Sequence, residues 1–260
     1  MTIKRYQVDA FTNRIFAGNP AIVCPLTQWL PDTVMQNIAM ENNLSETAFY
    51  VKEDTGYRMR WFTPALEVDL CGHATLATAY VMFHHEGYPE NEIQFQSRSG
   101  LLGVKKEGDW LTLDFPVHPV KPENDLAKFR NCFAHQPAQA FRGKEDYLLV
   151  FASEDQIADA RADISAILRL DARAVIITAP GNTVDFVSRF FIPKAGINED
   201  PVTGYAHTVL VPYWAGVLGK NSFEARQLSA RGGELRCQLR GNRVAISGQA
   251  RLFSMGEIFL

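Results

Sequence analysis

The chain repeats itself. Arg60-Trp61-Phe62-Thr63-Pro64 returns in the second half as Arg189-Phe190-Phe191-Ile192-Pro193, and Cys71-Gly72-His73-Ala74 returns as Thr203-Gly204-Tyr205-Ala206. In both copies an aromatic, strand-like run stops at proline, an acidic loop turns through glycine, and an apolar run of helix formers follows. A repeat of this length constrains the fold more than any single motif, because the chain must build one structural unit twice. The 260 residues suit two units of about 120–130 residues each. The expected fold is α+β: two pseudo-symmetric lobes, each a curved, mostly antiparallel sheet or barrel wrapped around a central apolar helix. Residues 1–118 are expected to form the N-terminal lobe and 119–248 the C-terminal lobe. The last segment, 249–260, is expected to pack back onto the first. Pro116, Pro119 and Pro122 mark the boundary.

Local signals fill in the elements. Arg5 to Phe11 and Ala21 to Val23 alternate as strands, with Gly18-Asn19-Pro20 supplying the turn. Pro31-Asp32 opens a helix in which Val34, Met35, Ile38 and Ala39 recur at helical spacing, and Asn42-Asn43 ends it. Leu44 to Val51 is an expected strand with Glu46 at its mouth, and Tyr57 to Phe62 is another. Leu76 to Phe83 is apolar on nearly every side, the mark of an enclosed helix. Strands follow around 93–95, 101–105 and 110–115. In the second half, Ser153-Glu154-Asp155 is expected to cap one helix running to about Leu170. Strands follow at 175–178 and 184–192, then an apolar helix from Ala206 to Leu218, then strands near 225–229, 235–239, 243–247 and within 248–260.

Composition narrows the function classes. The formal net charge of −3 provides no basic field, so neither a nucleic acid nor an acidic membrane is an expected partner. The most apolar stretches, Leu76 to Phe83 and Val209 to Leu218, fall short of the roughly 20 residues that a membrane span requires. The start, Met1 to Asp9, has no apolar core of a secretory leader, so the cytoplasm is the expected compartment. The four cysteines, Cys24, Cys71, Cys132 and Cys237, are far apart and form no C-x-x-C pair. That spacing argues against a zinc site or a disulfide framework. Nor is there a phosphate-binding glycine loop.

Two half-domains facing each other would bring two helix N-termini to one cleft. Such termini offer unpaired N–H groups and the positive end of the helix dipole, a seat for a small carboxylate. Glu46, where a loop enters an apolar strand, is either a proton shuttle or a solvated or capping carboxylate. Aligning Ala48 to Val51 with Ala174 to Ile177 puts Ala172 opposite Glu46, so the repeat carries one such carboxylate and not two. His73 follows Gly72 at a helix start. It is either a site residue or a histidine satisfied locally near the cap. His84 and His85 end the same helix, where cations suit the dipole. His207 is expected to pack, and Arg231-Gly232-Gly233 either binds an anion or, the favoured reading, forms a turn in a supporting role.

Five segments in order carry a resemblance: Asp9-Ala10-Phe11 with Gly18-Asn19-Pro20, Asn43-Leu44-Ser45-Glu46-Thr47-Ala48-Phe49, Asp69-Leu70-Cys71-Gly72-His73-Ala74-Thr75, Glu199-Asp200-Pro201-Val202-Thr203-Gly204, and Ser229-Ala230-Arg231-Gly232-Gly233. Together they resemble the PhzF family of phenazine-biosynthesis-like isomerases, which share the two-lobed fold of diaminopimelate epimerase. The resemblance implies an isomerase without metal or cofactor, in which Glu46 shuttles a proton on a small carboxylate substrate held between the lobes. His73 and Asp200 would line the site and polarise the substrate. Gly72 and Gly204 would present backbone N–H groups, with Asn19, Thr203 and Tyr205 as further substrate-binding residues. It also suggests a homodimer. Tyr205 departs from the family, whose phenazine-type enzymes carry a serine there, and the larger ring would reshape the pocket. Two other readings stay open: a cysteine-dependent hydrolase using Cys71 and His73, and a non-catalytic protein that binds small acids.

Overall fold

The computed structural model describes residues 1–54 and 56–260. The chain divides into two compact units, Met1–Asp114 joined by Ser247–Leu260, and Phe115–Ile246. Each is an α+β assembly dominated by its sheet.

In the first unit, β1 (Thr2–Ala10) pairs antiparallel with β2 (Asn19–Leu26), and β2 runs parallel to β3 (Glu46–Glu53). Next, β3 pairs antiparallel with β4 (Gly56–Phe62), which is edged by the short β5 (Glu67–Val68). A parallel pairing then joins β4 to β6 (Glu92–Ser97), and β7 (Gly100–Glu107) and β8 (Trp110–Pro116) continue antiparallel. The C-terminal strand, Ala250–Phe259, pairs antiparallel with β1.

The second unit repeats this order. The short β9 (Lys121–Glu123) pairs with β10 (Gln139–Arg142), and β10 with β11 (Asp146–Val150), both antiparallel. A parallel step leads from β11 to β12 (Ala174–Pro180), and an antiparallel one to β13 (Phe186–Ile192), edged by β14 (Ile197–Asp200). A parallel step then leads to β15 (Ser222–Gln227) and an antiparallel one to β16 (Gly233–Arg240), with β17 (Arg243–Gly248) following.

The helices occupy matching places. In the first unit α1 (Asp32–Asn42) links β2 to β3, and α2 (Gly72–His84) links β5 to β6. In the second, α3 (Glu154–Ala158) and α4 (Ile164–Leu168) link β11 to β12, and α5 (Gly204–Leu218) links β14 to β15.

Side-chain alternation along the strands builds a core on each face of each sheet. On β3, Phe49 and Val51 join Met35, Ile38 and Ala39 of α1. On β12, Val175 and Ile177 face Ile157 of α3 and Ile167 of α4. The opposite faces take the apolar helices. Ten of the residues of α2 are buried, His73 to Ala79 and Val81 to Phe83, and it packs against β1, β2, β3, β7 and the C-terminal strand. In α5, Trp214 Nε1 donates to Thr178 Oγ1 of β12 at 3.0 Å, and its ring stacks on Phe186 of β13. Strands covered on both faces read as continuous apolar runs.

Where the aromatic repeat lies, the structure repeats atom for atom. Arg60 on β4 grips Glu67 with two hydrogen bonds of 2.7 Å, and Arg189 on β13 grips Glu199 with bonds of 2.7 and 2.8 Å. Each guanidinium also lies over the next inward phenylalanine, Phe62 or Phe191. Planar bidentate pairs of this kind fix the edge strands β5 and β14, and hence the loops that follow.

Two expectations require correction. The helix expected from Ser153 to about Leu170 is two short helices. The chain breaks between them because Asp159, Asp163 and a left-handed Arg161 (φ 39°) favour caps and turns over helix interior, and Asp163 accepts from Ala166 N at 2.9 Å. Ser153 stands at the cap position without a side-chain cap bond. The repeat alignment also shifts. Phe49 pairs with Arg60 and Ile177 with Arg189, so Ala174, not Ala172, is the counterpart of Glu46. Strands β10 and β11, on which the sequence reading is silent, complete the second sheet.

One close approach in the first unit is open to test. A Cβ on Gly248 would overlap the buried Phe11 ring, whereas one on Gly256 would meet nothing within 4 Å. Gly248→Ala is therefore expected to lower stability by about 1–3 kcal/mol, through overpacking. Gly256→Ala is expected to stay within about 0.5 kcal/mol. Urea unfolding followed by circular dichroism measures both.

Candidate active site

In the first unit the site is assembled by one register and one turn. Glu46 is the first residue of β3, paired with Ala21 of β2. Phe49 and Val51 point toward α1, so the alternate residues Glu46, Ala48 and Tyr50 point to the α2 face. There Glu46 Oε2 lies 3.1 Å from Nε2 of His73, the second residue of α2. His73 is only 5 % exposed. Its other ring nitrogen, Nδ1, lies 3.2 Å from Asn19 Nδ2 and 3.4 Å from Cys71 Sγ. Asn19 reaches that position through Gly18, whose φ is 66° and where any Cβ would collide with the Ala10 carbonyl oxygen. Cys71 takes the N-cap position without capping through its side chain, so the first turn of α2 beginning at Gly72 leaves backbone donors for another acceptor.

The electrostatics follow from burial and these neighbours. Burial, then the charge of Glu46, pushes the Cys71 thiol up to about 11, with His73 acting in the other direction. At His73, burial disfavours the imidazolium, but Cys71 and Glu46 outweigh it and raise the pKa well above the ordinary histidine value. Since Cys71 is a neutral thiol near pH 7, the attraction of Glu46 is the part that operates there.

The second unit holds the other motif residues. Asp200 ends β14, and Thr203 occupies the N-cap of α5, ahead of Gly204. Thr203 Oγ1 donates to Asp200 Oδ2. Gln227 locks this loop from β15. Its Oε1 accepts from Thr203 N at 2.9 Å, and its Nε2 donates to the Asp200 carbonyl at 2.7 Å. Ser229 Oγ donates to the Pro201 carbonyl at 2.7 Å. Sequence reading missed Gln227, although a fully buried amide closing an alternating strand is a signal in principle. His207 is a packed residue, with Nδ1 2.9 Å from the Thr203 carbonyl and burial pulling its pKa down to about 4.

Tyr205 sits on its own cluster. Its ring lies 5.0 Å from that of His118 and 4.9 Å from the Arg173 guanidinium, and burial, then Asp146 near its hydroxyl, raises its pKa. Asp146 is buried and also meets Arg173 at 3.3 Å. Strand registers align Asp146, which pairs with Ala174, with Ala21, which pairs with Glu46. The second unit thus has no acid at the counterpart of Glu46. It has one on the neighbouring strand instead, and that acid contacts the residue after glycine at the helix start, as Glu46 contacts His73.

The structure therefore brings Glu46, His73, Asn19 and Cys71 together in one unit, beside Gly72, and Asp200, Thr203 and Gln227 together in the other, beside Gly204. Among the described residues no helix is long and apolar enough to cross a membrane.

Comparison with known proteins bears on this pattern over the whole length. An uncharacterized isomerase of Pseudomonas aeruginosa is 48% identical over 260 residues, covering 100% of both chains. An uncharacterized isomerase of Halalkalibacterium halodurans is 44% identical, again covering 100% of each. The crystal structure of a phenazine biosynthesis protein of the PhzF family from Enterococcus faecalis superposes with a TM-score of 0.98 at 48% identity, covering 100% of each chain. The family model described as phenazine biosynthesis-like protein matches residues 8–256, and the chain belongs to this PhzC-PhzF family, among relatives named isomerases.

Proposed function

We propose that the protein is an isomerase that moves a proton on a small carboxylate substrate, with Glu46 as the acid–base group and no cofactor. The observation that carries this reading is the placement of Glu46 3.1 Å from buried His73, at the first turn of α2. A proton shift at carbon needs one group that removes a proton and returns it, held at a fixed point and away from bulk water. Glu46 is partly buried and ion-paired with His73, which steadies the carboxylate while leaving an oxygen for substrate. The N–H groups and positive dipole end at the start of α2 suit the substrate carboxylate. Asp200, Thr203, Gly204 and Tyr205 are proposed as further groups that hold and polarise the substrate, as the family resemblance implies.

Thiol chemistry fits less well. A hydrolase would need Cys71 as a thiolate, and burial holds it as a thiol with a pKa of about 11. In the native protein Cys71 is expected to label with iodoacetamide more slowly than an unfolded cysteine, as read by peptide mass spectrometry. Rapid, stoichiometric labelling blocked by a small acid would instead favour the hydrolase.

The proton shift is tested by incubating the protein in deuterium oxide with a panel of small cyclic and amino carboxylic acids. Wild type is expected to add deuterium at carbon in at least one of them. Glu46→Gln is expected to lose that exchange by about 10²–10⁴-fold with its circular dichroism unchanged. Undiminished exchange in the variant would end the proposal.

A further inference from the structure

The same corner of the first unit has a property that proton transfer does not require. Glu46, Cys71 and His73 each present one ligand atom, and the three atoms lie within 4.8 Å of one another. Glu46 Oε2 and His73 Nε2 are both buried and face each other as an ion pair at 3.1 Å, and neither has a further hydrogen-bond partner among the described residues.

We infer that Glu46, Cys71 and His73 form a binding site for a borderline divalent transition ion, Zn²⁺ or Co²⁺. A thiolate, an imidazole and a carboxylate are the donor types that zinc takes, and three protein ligands leave a fourth position for water or a small acid. Zinc bonds of about 2.0–2.3 Å set the ligand atoms of a tetrahedral ion roughly 3.3–3.7 Å apart. The Glu46–His73 separation is close to that, whereas the Cys71 sulfur lies 3.4 Å from the other ring nitrogen, Nδ1, so the ion requires the Cys71 side chain to turn toward Nε2. Nε2 is the ligating nitrogen, because Nδ1 already faces Asn19 at 3.2 Å. The Asn19 amide can turn its oxygen to accept the Nδ1 proton, the outer support that metal-bound histidines use. Binding expels two protons to solvent, one from the Cys71 thiol and one from His73 Nε2, and the resulting thiolate and carboxylate together balance the dication.

The ion acts as an inhibitor. It occupies the Glu46 oxygen that the proposed reaction needs for its proton, so the consequence for activity rests on that reading. Ion binding itself does not. The ligand set escapes a search for C-x-x-C or His-x-x-x-His spacing, because Glu46 comes from β3 and the other two residues from the start of α2.

Cobalt(II) titrated into the chelator-treated full chain provides a readout independent of any substrate. One equivalent is expected to bind with a sulfur-to-cobalt charge-transfer band in the near ultraviolet, and Zn²⁺ is expected to displace it. Cys71→Ser is expected to lose the band, while Cys132→Ser, in the other unit, keeps it. Glu46→Gln and His73→Gln, checked for folding by circular dichroism, are expected to weaken binding on the order of tenfold or more, no less than the loss of an outer-shell partner. Absence of the band in wild type, or its persistence in Cys71→Ser, overturns the site. If the deuterium exchange of wild type is found, Zn²⁺ is expected to stop it and a chelator to restore it; exchange that continues at saturating Zn²⁺ overturns Glu46 as a ligand. Absence of exchange with every acid tried would sink the proposed reaction, while the cobalt band still decides the site.

Discussion

The register between β2 and β3 is the constraint on which the first unit depends. With Ala21 opposite Glu46 and Phe49 turned toward α1, the alternation of the strand leaves Glu46 on the face that α2 covers. A slip of one residue would send Glu46 to the α1 side and bring Phe49 and Val51 against α2, emptying one core and crowding the other. The hydrophobic core therefore protects the position of the carboxylate. Misplacing Glu46 would cost the packing of a whole helix, far more than any hydrogen bond Glu46 itself makes.

Duplication explains why the site has the neighbours it has. The edge strands β5 and β14 are held by the same arginine–glutamate fork, and each leads into a loop that ends in glycine at a buried helix start. What has diverged is the chemistry placed on that common frame. In the first unit the residue after glycine is His73 and its acid is on β3. In the second unit it is Tyr205 and its acid, Asp146, is one strand over and already engaged by Arg173. Glu46 faces the His73 ring instead.

The loop at Asp200 is fixed by buried polar side chains. Gln227 spends both ends of its amide on the backbone around Thr203 and Asp200, and Ser229 takes the Pro201 carbonyl. Buried amides of this kind are costly unless fully used, so a loop held by one has little freedom to wander. The Tyr205 ring is held in the same way, with the Arg173 guanidinium 4.9 Å from its centre and the ring of His118 5.0 Å away.

Much of this was legible in the residues. The aromatic and glycine repeats, the enclosed helices at Leu76 to Phe83 and Ala206 to Leu218, the Asn43 stop of α1 and the candidate residues themselves are local or periodic features, and local sterics and period determine them. Three things were not legible. The break between α3 and α4 depends on caps that only compete with a helix once Ile157 and Ile167 have a core to enter. The counterpart of Glu46 could not be settled by matching apolar letters, because only strand pairing distinguishes Ala172 from Ala174. Gln227 and Asp146 looked like ordinary strand residues until partners distant in sequence were beside them. The sequence by itself thus determined most of the elements that form, since these depend on near neighbours along the chain. Which side chains meet was decided by the tertiary structure alone, because strand register and helix docking are set by burying whole faces at once.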